Sequence, residues 1–233
     1  MNWMAKTRPN SSLPTRAPSK PGPAAASSAP ASANARVSNG LKEFLWLITD
    51  SGQGKILDLG AVFQSTVMFF IEKGFRLSTE DLLRSWKEFL VAEEENLRYA
   101  TVGDEGARVS QGMLAGKFLD TALQYPEDNF HGVLAWDLFD YLDAELLPRV
   151  MERIFTLMRP GGAVLASFHS RAPERFHRYK IIDSQNIELV PAPTLAVHAR
   201  VFQNREILDI FGKFRSSKTF VGRDQVREAL FLK

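Results

Sequence analysis

The sequence contains no cysteine in 233 residues and no long uninterrupted apolar run. The absence of cysteine excludes a disulfide framework, a thiolate zinc site and a cysteine nucleophile. No apolar run approaches the roughly 20 residues that a membrane-spanning helix needs, and the N-terminus has no apolar segment typical of a secretory signal. We therefore expect a cytoplasmic protein with no membrane contact.

Carboxylates are missing from the start of the chain, since the first one is Glu43. Residues 1–39 are rich in Pro, Ala and Ser and hold five of the 29 Lys and Arg residues. This segment has too little apolar area to offset the entropy cost of ordering, so residues 1–39 are predicted to be a disordered basic tail, most simply a linker. The body, residues 40–233, keeps 24 basic against 27 acidic residues, which argues against a nucleic-acid-binding fold.

Apolar strands and amphipathic helices alternate along the body. Lys55–Leu59 is predicted as a strand, Ser65–Lys73 as a helix and Phe75–Thr79 as a second strand, and the apolar positions of Leu82–Leu97 follow helical spacing. This alternation is typical of a parallel sheet covered by helices on both faces. The predicted fold class is therefore α/β, with a three-layer, doubly wound, mostly parallel sheet.

The second half of the body continues the alternation and ends in two segments that read as an antiparallel hairpin. A short third strand is placed at Lys117–Leu119, which would give the sheet about seven strands. The Gly-rich segment 101–117 is predicted to be a mobile loop, and the turn at Arg159–Gly162 to stop a helix and start a strand. The elements predicted in this half are Gly132–Trp136, Ala144–Met158, Ala163–Phe168, Asn204–Phe211, Arg215–Val221 and Val226–Leu232.

Charged and polar side chains stand directly after the predicted strands. In a doubly wound sheet the ligand site lies at the carboxyl ends of the strands, and a carboxylate about 20 residues after the first strand can bind both hydroxyls of a ribose. A carboxylate near the third strand can accept a hydrogen bond from an adenine amino group. The residues so placed are Asp58, Gly60, Glu80, Asp81, Asp120, Asp137, Asp140 and Tyr141.

Four passages of the body, in their order and spacing, resemble the class I S-adenosylmethionine-dependent methyltransferases. The resemblance covers about residues 40–233 and includes the final hairpin, with which members of this family end a Rossmann-like sheet. The passages are LDLG at 57–60, Asp120 with YPEDNFHGV at 125–133, WDLFDYL at 136–142 and LMRPGGAVL at 157–165.

The resemblance implies methyl transfer from S-adenosylmethionine to an unidentified acceptor, expected to be a small molecule. It implies that Asp58, Gly60 and Ala61 face the methionine portion of the cofactor and that Glu80 or Asp81 binds the ribose. It also implies that Asp120 and Thr121 contact the adenine and that Trp136 lines the pocket.

The candidate catalytic residues are Asp137, Tyr141 and His169. The first two follow the fourth strand, where the family often positions an acceptor, and His169 follows the fifth strand, where it could act as a general base. Methyl transfer depends mainly on positioning and desolvation, so few catalytic groups are needed. As alternatives, Asp137 and Tyr141 would complete a helix start and His169 would be a surface histidine. The spacing of the four histidines suits no metal motif, so no metal is expected.

The loop after the first strand departs from the family pattern. Val62 and Gln64 stand where glycines are usual, and His131 replaces the aspartate of the fourth strand. Val62 is β-branched and disfavours positive φ, and both loop side chains would occupy space that the family gives to the cofactor. In compensation, Gln64, Ser65 or Thr66 could hydrogen-bond the cofactor carboxylate at a helix N-terminus. The alternative function is a catalytically inactive methyltransferase-like fold that serves as a binding or regulatory module.

Other interpretations of these residues stay open at this point. Gly60 could simply form a tight turn, Glu80 and Asp81 could cap the following helix, and Asp120 could lie in a surface turn. Methylation of nucleic acid would predict a salt-dependent affinity that disappears with the tail. A nicotinamide dehydrogenase is disfavoured, because its fingerprint needs second and third glycines that this loop lacks.

Overall fold

The computed structural model describes residues 34–49, 54–100, 110–193, 199–222 and 224–233. No helix in these ranges is long and apolar enough to cross a membrane. In chain order the elements are β1 (Ala35–Val37), α1 (Asn39–Thr49), β2 (Lys55–Asp58), α2 (Gln64–Glu72), β3 (Arg76–Thr79), α3 (Leu82–Ala100), α4 (Gln111–Leu119), β4 (Phe130–Trp136), α5 (Leu138–Tyr141), α6 (Leu146–Leu157), β5 (Met158–His169), β6 (His177–Ile181), β7 (Asn186–Pro191), α7 (Asn204–Ile210), β8 (Ser216–Val221) and β9 (Val226–Leu232).

The larger sheet has the strand order β3-β2-β4-β5-β9-β8. Its first four strands are parallel, whereas β9 runs antiparallel to β5 and β8 antiparallel to β9. Two hydrophobic clusters cover it: α1 and α2 contribute to one, and α3 to α7 contribute to the other. The predicted α/β class, a mostly parallel sheet between helical layers that ends in an antiparallel hairpin, is confirmed.

The larger sheet has six strands in the described residues rather than about seven, because the predicted third strand is a helix. Lys117–Leu119 forms the last part of α4. The hydroxyl of Ser110 caps that helix by accepting a hydrogen bond from the amide of Met113 (3.3 Å), and Ala115 and Phe118, three residues apart, are both buried. The prediction of a loop at 101–117 is therefore wrong from residue 111 onward, and residues 101–109 lie outside the described ranges.

A second, three-stranded antiparallel sheet with the order β1-β7-β6 was not predicted. Its strand β1 lies within the segment expected to be a tail, so that expectation is wrong for Ala35–Val37, which pairs with β7. Residues 1–33 lie outside the described ranges, and the disorder of this part of the tail stays a prediction. Strand β6 arises from the polar, basic passage His169–Lys180, to which no element was assigned.

Contacts that join the small sheet to the rest of the fold include a hydrogen bond and two ion pairs. The hydroxyl of Thr66 in α2 accepts a hydrogen bond from the amide of Ile181 in β6 (3.0 Å). Arg36 in β1 forms ion pairs with Asp224 (2.9 Å) and Glu228 (3.1 Å) beside and within β9. The small sheet thereby brings residues of β6 to the carboxyl ends of β2 and β4, the edge at which the sequence predicts the site.

His131, which stands where the resemblance would place an aspartate, has a structural role. It lies near the start of β4, at the opposite edge from the carboxyl ends of the strands, and its Nδ1 accepts a hydrogen bond from the amide of Lys55 (3.0 Å). Burial, together with the positive charges of Arg159 and Lys55, lowers its pKa. This contact aligns the starts of β2 and β4.

Candidate functional site

Asp58 ends β2 and is almost fully buried, at 1% exposure. Its Oδ1 accepts hydrogen bonds from the amide of Gly60 (3.0 Å) and from the indole Nε1 of Trp136 (2.7 Å). Burial raises the pKa of Asp58 to about 6, although both hydrogen bonds act in the opposite direction. This carboxyl is thus bound to donors of the chain itself.

Trp136 fills the space beside Gly60. A Cβ atom at position 60 would lie 2.6 Å from Cδ1 of the indole, so only glycine fits there. The ring of Tyr179 from β6 stacks on the indole of Trp136, with centroids 5.1 Å apart and planes at 12°. Trp136 has a φ of 48°, a conformation that costs about 1–3 kcal/mol and persists only where the surroundings impose it.

The two candidate ribose carboxylates also have partners within the chain. Oε1 of Glu80 accepts a hydrogen bond from the amide of Leu123 (3.0 Å). Asp81 precedes α3, where its Oδ1 accepts from the amide of Arg84 (3.3 Å), and its Oδ2 forms an ion pair with Arg178 of β6. The capping interpretation of Asp81 is therefore correct in this structure.

A small cleft at this edge brings together some of the candidate residues. Gly60, Ala61, Asp81, Trp136 and Asp137 line it, together with His177, Arg178 and Tyr179 of β6. Asp58, Glu80, Asp120 and Thr121 are not among its lining residues; Asp120 is exposed after α4, and the Thr121 hydroxyl donates to the carbonyl of Phe118 (3.0 Å).

The loop residues that depart from the family do not obstruct the cleft. Val62 is 60% exposed and Gln64 is exposed at the start of α2. Thr66, one of the residues considered in compensation, is buried and bound to β6. The obstruction comes from other residues, namely Trp136, Arg178 and Tyr179.

S-adenosylmethionine does not fit the cleft in this arrangement. The carboxylates around it are of the kind that bind a ribose, but its volume is about 30 Å³, whereas ligand pockets hold about 300–1,000 Å³. A nucleoside could enter only if Arg178 and the stacked rings of Trp136 and Tyr179 moved.

A buried titratable cluster adjoins the cleft and contains all three candidate catalytic residues. Nδ1 of His169 lies 2.8 Å from Oδ2 of Asp140, and its Nε2 lies 3.9 Å from Oδ2 of Asp137. The amide of His169 also donates to Oδ2 of Asp140 (2.8 Å), and the ring of Tyr141 is 6.5 Å from the imidazole. Because α5 follows β4 directly, Asp137, Asp140 and Tyr141 lie within one turn beside the end of β5.

Burial dominates the protonation of this cluster. It raises the pKa of Asp137 to about 7, with His169 opposing and Asp140 adding to the shift. Burial also raises the pKa values of Asp140 and Tyr141. It lowers the pKa of His169, but the hydrogen bond to Asp140 and the charge of Asp137 outweigh it and raise the pKa above its ordinary value.

Three buried polar atoms of the cluster have no hydrogen-bond partner in the described part of the chain: Oδ2 of Asp137, Oδ1 of Asp140 and the hydroxyl of Tyr141. Unsatisfied buried groups are rare and costly. Together with the imidazole, they form a group that can hold a proton near neutral pH and accept hydrogen bonds from a ligand. No metal-binding group of three or more His, Asp or Glu residues occurs in the described ranges, and His198 lies outside them.

The sequence interpretation missed Arg178 and Tyr179, which close the cleft. The signal that could have found them is the alternation of inward and outward residues in β6 and β7: Tyr179 and Ile181 are buried, as is Ile187 on the facing strand. A period of two over five residues favours a strand. That alternation does not reveal which part of the larger sheet the strand meets.

The fold and the position of the site define a Rossmann-like α/β protein with its candidate ligand residues at the carboxyl ends of parallel strands. Neither a family model nor a curated protein matches the chain. Solved structures similar to it include the 1,6-didemethyltoxoflavin-N1-methyltransferase of Burkholderia thailandensis with bound S-adenosylhomocysteine, at 16% identity over 84% of this chain and 78% of that one, with a TM-score of 0.46.

Two further solved structures to which the chain is similar are of methyltransferases. A S-adenosylmethionine-dependent methyltransferase of Mesorhizobium loti shares 14% identity over 82% of this chain and 98% of that one (TM-score 0.45). A glycopeptide N-methyltransferase complexed with S-adenosylmethionine shares 14% identity over 84% and 94% (TM-score 0.42). At such identities a likeness concerns the fold alone, and a fold does not by itself determine activity.

Proposed function

We propose that this chain is a S-adenosylmethionine-dependent methyltransferase for a small-molecule acceptor, and that its cofactor cleft is closed in the arrangement described above. The observation that carries the proposal is the placement of Gly60, Asp81 and Asp137 around one cleft at the carboxyl ends of β2, β3 and β4. This is the location at which open α/β sheets bind their ligands.

We assign the following binding, orienting and proton-accepting roles to residues of the chain. Asp81, released from Arg178, would accept hydrogen bonds from the ribose, and Asp58 would orient the turn through Gly60. When bound, the cofactor supplies an electrophilic methyl group. Tyr141 and the His169–Asp140 pair would hold the acceptor, and Asp137 would take up its proton, because a buried carboxyl whose pKa is raised to about 7 suits that role.

A second function is favoured by a specific observation, the volume of the cleft. Because Trp136, Arg178 and Tyr179 leave about 30 Å³, the chain would act as a binding or regulatory module without methyl transfer if these residues never move. The two functions differ in whether a nucleoside can bind at all.

Calorimetric titration with S-adenosylhomocysteine separates the two functions. We expect binding to the wild-type chain, and binding about fivefold tighter in Arg178→Ala, since the lost ion pair with Asp81 is worth about 1 kcal/mol that opening must otherwise overcome. The substitution Asp81→Asn should weaken the binding of S-adenosylhomocysteine both in the wild-type background and in the Arg178→Ala background.

Arg84→Ala is the matched control. Arg84 also neighbours Asp81 but forms its own ion pair with Glu88 (2.8 Å) at the surface, so its removal should leave the affinity unchanged. The absence of heat at millimolar ligand with both the wild type and Arg178→Ala would reject the methyltransferase and leave the binding module.

A further inference from the structure

A second cavity, of about 370 Å³, is lined in part by His169. It is formed by the segment after β5, the start of β6 and the turn before β9. Its volume falls within the range of about 300–1,000 Å³ that small-molecule sites occupy. It is therefore large enough for a ligand without any movement of the chain, unlike the cleft beside Gly60.

The walls of this cavity carry unpaired positive charge. Arg171 and Arg175 line it, both are exposed, and neither forms an ion pair with a described residue. Of the two carboxylates that line it, Asp224 is already paired with Arg36 (2.9 Å), which leaves only Glu174. A guanidinium binds a carboxylate or phosphate in a planar, two-point geometry, so the walls favour an anion.

His169 connects this cavity with the buried cluster. His169 lines the cavity. Its Nδ1 lies 2.8 Å from Oδ2 of Asp140, and the backbone amide of His169 donates a hydrogen bond to the same oxygen. The contacts with Asp140 thus fix the orientation of the imidazole ring. A histidine whose orientation is fixed in this way can form a well-directed hydrogen bond to a ligand. His177 lines the cavity as well.

We propose that this cavity binds a small molecule that carries a carboxylate or phosphate group, with Arg171 and Arg175 on the anion and His169 in hydrogen-bonding contact with the rest of the ligand. The assignment of this ligand as the methyl acceptor rests on the proposed function and means that the acceptor is an anion. The binding of an anion to this cavity requires neither S-adenosylmethionine nor an open cleft.

The test uses citrate and pyrophosphate as probes for the two kinds of anion, added to the full chain without S-adenosylhomocysteine. We expect one of them to bind in calorimetry and to shift the ring resonances of His169 and His177 in proton–nitrogen NMR spectra, while those of His131 stay in place. The preferred probe assigns the anion as a carboxylate or a phosphate.

The double variant Arg171→Gln/Arg175→Gln should weaken that binding at least tenfold. Arg205→Gln is the matched control, because Arg205 is an exposed arginine of α7 that has no ion pair with a described residue. Both changes are at exposed positions and should leave the unfolding midpoint unchanged in the absence of probe. Binding of neither probe at 10 mM, or an equal loss in the control, would overturn the proposal. Citrate or pyrophosphate binding without S-adenosylhomocysteine binding would retain this site and reject methyl transfer.

Discussion

Replacement of Arg36 by methionine is expected to lower the free energy of unfolding by about 3–5 kcal/mol, as for the loss of one partner from a buried ion pair. The side chains of Arg36 and Glu228 are only 10% and 4% exposed, and the guanidinium also pairs with Asp224. Without it, the hydrogen bond from the amide of Gly40 (2.8 Å) is the only one that Glu228 keeps within the described residues to offset its burial. Urea denaturation at pH 7 measures the loss.

The double variant Arg36→Met/Glu228→Gln distinguishes a buried charge from lost packing. The glutamine oxygen can still accept from Gly40, but it leaves no charge behind, so we expect the double variant to be more stable than Arg36→Met. Arg84→Met is the surface comparison: its ion pair with Glu88 is 63% and 65% exposed, and its loss should cost less than about 1 kcal/mol. A loss of that small size at Arg36 would show that β1 is not anchored to the body.

The edge of the sheet that carries the site could be predicted from the sequence, because the strands that lead to it are short apolar runs with a polar residue at each end. Asp58, Asp81 and Asp137 are predicted in this way, and the structure has each of them at the end of its strand or within two residues of that end. The helix at Lys117–Leu119 could not be predicted, since three apolar or long side chains fit either period.

The closure of the cleft could not be predicted because it depends on pairs far apart in the chain. Trp136 meets Asp58 across 78 residues, and Arg178 meets Asp81 across 97. Local patterns report which face of an element is apolar, but not which element it will meet. Val62 and Gln64, which the local pattern indicates as the obstacle to a cofactor, are exposed, whereas Trp136, Arg178 and Tyr179 close the cleft.

Replacement of Asp137 by asparagine is expected to stabilise the protein at pH 8 by about 2–4 kcal/mol and to have little effect at pH 4. Burial raises the pKa of Asp137 from 3.8 to about 7. Between pH 4 and 7 the folded state therefore holds a proton that the unfolded state has already lost. The free energy of unfolding falls by about 1.4 kcal/mol for each pH unit in that window. Asparagine does not ionise, so the variant does not lose this stability. Urea denaturation at several pH values measures both the size and the window.

Asp58, whose pKa is raised to about 6, and His169, whose pKa is also raised, likewise lower the free energy of unfolding as the pH rises. The stabilising contribution of protonated His169 is complete below pH 6.5 and is lost as the pH rises through its folded pKa, so wild-type stability should decline from pH 4 to pH 8. The control Asp120→Asn removes an exposed carboxylate and should leave the profile unchanged.

A stability loss in Asp137→Asn at pH 8 would contradict the prediction, since it would mean that the ionised carboxylate is held by its neighbours. The predicted gain would show that the carboxyl is retained at a cost to stability. Groups kept at such a cost are typically required for function. Asp137 lines the cleft beside Gly60 and lies 3.9 Å from the imidazole of His169, which lines the second cavity. Asp137 and His169 are thus neighbouring titratable side chains, one lining each cavity.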